Sequence, residues 1–127
     1  PIIREADGLA MSSRNAYLSP DERRAAPTLY GSMLMINELF AHGETDAAKL
    51  AAAGETVLTE ASPAFALEYL ALVDPETLAP RTTAKSGDRI LIAARLGATR
   101  LIDNMELTGR PLPPEAPAGK PMVEDKS

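Results

Sequence analysis

The spacing of apolar residues changes once along this chain, at Ser62-Pro63, and that change limits the fold more than any other feature. Before it, Leu29, Met33, Ile36 and Phe40 recur at intervals of four, three and four, the repeat that lines one face of a helix. After it, Phe65, Leu67, Tyr69, Ala71 and Val73 alternate, as they would on one side of a strand. Helices first and strands afterwards read as an α+β domain.

Local signals place the elements. Ser19-Pro20-Asp21-Glu22 supplies an N-cap hydroxyl, a proline at the first helical position and a glutamate at the third, so a helix opens there. Pro27 lacks an amide donor, which ends that helix near Ala25 and starts a second at Pro27. His42-Gly43 closes the second; His42 is expected to interact with terminal carbonyls rather than to act as a base. Thr45 is read as the cap of a third helix over residues 46 to 61, whose alanine-rich stretch around Leu50, Val57 and Leu58 suits a helical hairpin. Strands follow over residues 65 to 73, 89 to 96 and 99 to 107, the last two joined by Gly97-Ala98. The expected fold is therefore helices packed on a small three-stranded antiparallel sheet. The remainder, "TGRPLPPEAPAGKPMVEDKS" (residues 108 to 127), is proline-rich with few apolar anchors and is expected to be a disordered tail.

Composition narrows the chemistry. A net charge of −5 over 127 residues argues against nucleic acid or an anionic membrane as a partner. Without cysteine, and with His42 as the single histidine, neither a disulfide framework nor a nitrogen or sulfur metal site is expected. There is no apolar run of membrane-spanning length and no signal-peptide pattern at the start, so a cytoplasmic location is expected; a chain that opens at Pro1 reads as an excised piece.

One segment carries functional residue types. "DGLAMSSRN", residues 7 to 15, places an Asp-Gly turn ahead of two hydroxyls and a guanidinium, donors that suit an oxyanion such as phosphate. The competing reading is that Ser12, Ser13 and Asn15 satisfy the loop while Arg14 pairs with a surface acid. No serine stands at a recognisable spacing from a histidine and an acid, so covalent catalysis is poorly supported.

The string "PIIREADGLAMSSRNAYL", with "RRAAPTLY", "LEYLALVDPETL" and "ILIAARLGATRLIDNMEL", closely resembles the C-terminal domain of the pantothenate synthetase (pantoate–β-alanine ligase) family over about residues 1 to 107. The tail lies outside the resemblance. What it implies is an ATP-dependent ligase of the pantothenate and coenzyme A pathway, which adenylates pantoate and transfers the pantoyl group to β-alanine. Met11, Ser12, Ser13 and Arg14 match the family's counterpart of the lysine-rich loop of class I aminoacyl-tRNA synthetases and should contact ATP, with Ser12, Ser13 and Arg14 in the catalytic role at the phosphates. Ile3 matches the position that borders the adenine through its backbone. Ala10 and Ser13 stand where that loop has lysines, which leaves Arg14 as the segment's cation.

By the same resemblance a Rossmann domain with a His-x-Gly-His signature, pantoate-binding glutamines and a phosphate-contacting lysine would precede Pro1. None of those motifs is in this sequence. The chain then corresponds to a lid over that domain's active site, inactive alone and monomeric, in a whole protein that is homodimeric. Magnesium (Mg2+) is expected with ATP, with no ligands identified here. The alternative is a stand-alone protein-interaction module that never meets a nucleotide.

Overall fold

The computed structural model describes residues 2–109. A short 3-10 turn, Ser13–Tyr17, precedes helices α1 (Pro20–Ala25), α2 (Thr28–Ala41) and α3 (Ala47–Ala61) and strands β1 (Phe65–Val73), β2 (Arg89–Leu96) and β3 (Thr99–Glu106). The strands form one antiparallel sheet in the order β1-β2-β3, and α2 and α3 pack on each other and against one face of it. The architecture is the α+β arrangement of helices on a three-stranded antiparallel sheet. Among the described residues no helix is long and apolar enough to cross a membrane.

The capping signals act as their chemistry dictates. Ser19 Oγ accepts from the Glu22 amide at 3.1 Å, and Glu22 Oε1 accepts from the Ser19 amide at 2.9 Å, a reciprocal box that starts α1. His42 Nδ1 lies 2.8 Å from the Glu38 carbonyl at the end of α2. The cap of α3 is Asp46 and not Thr45: the Asp46 carboxylate accepts from the amides of Ala48 and Lys49, while the Thr45 carbonyl accepts from Ala84 and ties the α2–α3 turn to the loop before β2.

The core lies between helices and sheet, filled by Leu29, Met33 and Ile36 of α2, Leu50 and Leu58 of α3, and Ile90, Ile92 and Leu96 of β2. Gly54 sets the depth of that contact. A Cβ there would stand 2.8 Å from both Ile36 Cδ1 and Leu70 Cδ2, so a larger residue would require those two side chains to shift within the packed interface.

The alternation expected for β1 breaks in the middle. Leu67 pairs with Ala94 and Tyr69 with Ala93, leaving Glu68 as the extra residue of a bulge. Past that point the faces exchange: Leu70 and Leu72 turn to the helices, and Tyr69 is 45% exposed rather than buried beside Leu67.

The connection from β1 to β2 is held by charge. Arg81 Nε donates to both oxygens of Asp88 at 3.1 and 3.2 Å and an Nη2 hydrogen to Asp74 at 2.9 Å. Beyond β3, Leu107 is buried, and the Thr108 amide donates to Asn37 Oδ1 of α2 at 2.9 Å. The expected tail otherwise falls on residues 110–127, outside the described residues.

Candidate functional site

The segment that carries the two serines and the arginine begins as a miniature hairpin. Arg4 and Ala10 form an antiparallel bridge, the Met11 amide donates to the Ile3 carbonyl at 2.8 Å, and the Glu5 amide to Leu9 at 2.8 Å. Its turn is the Asp-Gly pair read from the sequence. Gly8 has φ 97°, a conformation costly for residues with a Cβ, and a Cβ there would meet Tyr30 at 2.3 Å. Leu9, next in the chain, is buried in the core and anchors the hairpin.

A single arginine fastens this hairpin to the sheet. Arg4 donates to Asp103 of β3 through two nitrogens, at 2.6 and 2.9 Å, and also to the Gly8 carbonyl at 2.9 Å. Its guanidinium lies 4.2 Å over the centre of the Tyr30 ring. The Asp103 side chain is 1% exposed and that of Arg4 20%, so the pair sits in a poorly hydrated place where loss of either partner strands a charge.

With the hairpin fixed, the loop follows along the edge of β3. Ser12 caps the 3-10 turn, its Oγ accepting from the Arg14 amide at 3.1 Å, and Asn15 Nδ2 donates to the Ala10 carbonyl at 3.1 Å. To that extent these residues do satisfy the loop. Arg14 does not follow the competing reading: its side chain is exposed and makes no ion pair among the described residues. Met11 and Ile3 are also exposed, beside and before it. A cavity of about 190 Å³ separates the loop from the strand, lined by Met11, Ser12, Arg14 and Asn15 on one side and Arg100, Leu101 and Ile102 on the other. Asn15 Oδ1 is buried on its wall without a hydrogen-bond partner. Ser13 takes part in the turn but does not line this cavity.

Sequence reasoning missed the residues opposite the loop. Arg95 of β2 and Arg100 of β3 face each other across the strands, and Glu68 bridges them, with Oε1 2.7 Å from Arg100 Nε and Oε2 3.1 Å from Arg95 Nε. The Arg100 hydrogen bond is the main reason the Glu68 carboxyl ionises below its ordinary range, and the same bond pushes the Arg100 guanidinium up. Among the described residues no three His, Cys, Asp or Glu side chains gather as a metal ion would need. The loop's own chemistry is that of hydroxyl donors and a guanidinium, suited to oxyanions.

The elements thus define an α+β domain that presents a polar, arginine-bearing loop at the edge of its sheet. The family model described as Pantoate-beta-alanine ligase matches residues 1–106, and the chain belongs to that family. The pantothenate synthetase of Anaeromyxobacter dehalogenans is 53% identical over 107 residues, 84% of this chain and 36% of that protein. That of Thermus thermophilus is 48% identical over 107 residues, 84% of this chain and 38% of that protein. The crystal structure of pantothenate synthetase from Thermus thermophilus matches with a TM-score of 0.78 at 45% identity, over 85% of this chain and 38% of that one. The chain therefore spans little more than a third of the length of these relatives.

Proposed function

We propose that this chain is the C-terminal, ATP-closing part of a ligase that condenses pantoate with β-alanine through a pantoyl adenylate, and that Met11, Ser12, Ser13 and Arg14 meet the phosphates of ATP. Arg14 carries this reading: an exposed guanidinium without an ion pair among the described residues, at the rim of a cavity it shares with Ser12.

In the first step a pantoate carboxylate oxygen attacks the α-phosphorus, the bond from that phosphorus to its bridging oxygen breaks, and pyrophosphate leaves. Negative charge grows on the departing group. A guanidinium fork and serine hydroxyls held at that position stabilise it more in the transition state than before it. In the second step the β-alanine amine attacks the acyl carbon, forming the amide and releasing AMP and a proton. In this reading Ile3, exposed ahead of the loop, borders the adenine through its backbone. The adenine and pantoate pockets belong to the Rossmann domain that such a ligase requires, with this domain closing over them and excluding water. Magnesium accompanies ATP in this scheme.

Arg14→Ala in the intact ligase tests the reading. Single-turnover adenylate formation is expected to slow roughly ten- to a hundredfold, matching about 1.5–3 kcal/mol for a charged hydrogen bond, while pre-formed adenylate reacts with β-alanine at nearly the original rate. Arg14→Lys should restore part of the rate, since the charge stays and the planar fork is lost. Unchanged adenylation in a folded Arg14→Ala protein would return Arg14 to the role of a surface charge.

A further inference from the structure

We propose that Arg100, supported by Arg95, is a second phosphate-binding cation of this site, and that Glu68 is the positioning residue that aims it. The inference rests on the loop reading above and extends it to the strand opposite.

Three arginines line two adjoining cavities, Arg14 and Arg100 both of them and Arg95 the second. Arg14 and Arg100 both line the cavity between loop and β3, and both line a neighbouring opening bordered by Tyr17, Arg95, Ala98 and Thr99. The placement runs against stability. Arg95 and Arg100 are direct cross-strand partners, and like charges opposite each other on a sheet destabilise it. It also runs against composition, since the chain has 18 acidic residues to 13 basic, yet Glu68 is the one carboxylate in ion pairs with these three arginines among the described residues. The group retains an excess of positive charge, which a polyanion would neutralise.

The geometry of Glu68 favours a ligand. As the extra residue of the β1 bulge it reaches both arginines, and each of its oxygens takes one of them through Nε. Contact through Nε leaves the terminal amino groups of Arg100 outside that ion pair, on a side chain 41% exposed. Those donors present the flat fork that suits phosphate oxygens. A triphosphate carries several negative charges and Arg14 supplies one positive charge. Arg100 supplies the next, at the pyrophosphate end that the loop holds.

Kinetics of the intact ligase decide the matter. In Arg100→Ala the KM for ATP and the inhibition constant of inorganic pyrophosphate should both rise about tenfold, while the KM for β-alanine, which carries no phosphate, stays unchanged. Arg100→Lys should recover part of the loss, and the difference from the parent should shrink as salt rises. Parental values for both constants, in a protein with the parental circular dichroism spectrum, overturn the proposal; so does an equal rise in all three constants. Should Arg100→Ala not fold, Arg100→Gln, which can still donate to Glu68, carries the same expectation and the same refutation. Arg14→Ala measured alongside separates the two claims. Slow adenylation there with normal Arg100 variants sinks this proposal alone; the reverse sinks the loop reading.

Discussion

The hairpin before the 3-10 turn and the connection between β1 and β2 are both irregular segments clamped by an arginine on a nearly buried aspartate. In the connection, Arg81, Asp74 and Asp88 lie within 15 positions of one another, and the Lys85 amide also donates to Asp88, so these charges are used inside the segment. In the hairpin, Arg4 reaches Asp103, 99 positions away, and Arg14 is left to solvent. A local clamp fixes the shape of its own loop. A distant clamp fixes where a loop stands relative to the rest of the molecule, which is what a reacting group needs.

Breaking the two clamps in turn should separate those roles. Asp103→Ala leaves Arg4 without its carboxylate and is expected to cost about 3 kcal/mol by denaturant titration, the low end for a buried pair because Arg4 keeps some contact with water. In the intact ligase it should also slow adenylate formation. Arg81→Ala strands Asp88, 2% exposed, and should lose a similar roughly 3 kcal/mol, yet leave adenylation within about twofold of the parent. Equal kinetic damage from both would erase the distinction.

Gly8→Ala sharpens the comparison without touching a charge. The positive φ and the Tyr30 ring together should cost about 1–3 kcal/mol, and the kinetic loss should resemble that of Asp103→Ala, since both displace the same hairpin. A destabilised variant with parental adenylation would show that the loop keeps its place by other means.

Acid should give the smallest effect. Glu68, held down chiefly by Arg100, and Asp74, held down chiefly by the amides of Thr77 and Glu76, ionise below their ordinary values of 4.5 and 3.8. A depressed folded value means that each contributes stability above its ordinary value and loses it as pH falls through the depressed one. Glu68→Gln and Asp74→Asn should therefore flatten the fall in stability below those values. Salt should weaken the Glu68 effect more, because its main partner is a side-chain cation. Identical salt dependence in the two variants would contradict these causes.

Much of this was legible in the sequence because it is decided locally. The Ser19 box, the Pro27 break and the Ser62-Pro63 change of period depend on neighbours within a turn, and the elements fall where those signals put them. The bulge at Glu68 depends on which residues of β2 lie opposite, and it carried Tyr69 to the other face. The Arg95–Arg100 pair was within reach: a two-residue turn at Gly97-Ala98 aligns the residues that flank it. Asp103 offered a weaker signal, a carboxylate at an inward position between Leu101 and Met105 that had to find a cation. Nothing local names Arg4 as that cation.

The Arg4–Asp103 contact also makes the domain a mechanical coupling. Tension applied to the backbone ahead of Arg4 passes through its guanidinium into β3, and from there across the hydrogen bonds to β2 and β1, while its contact with the Tyr30 ring carries part of the load straight into α2. A sheet loaded that way resists through many bonds at once, so hairpin, loop and sheet would turn together as one stiff lever under a pull from that side.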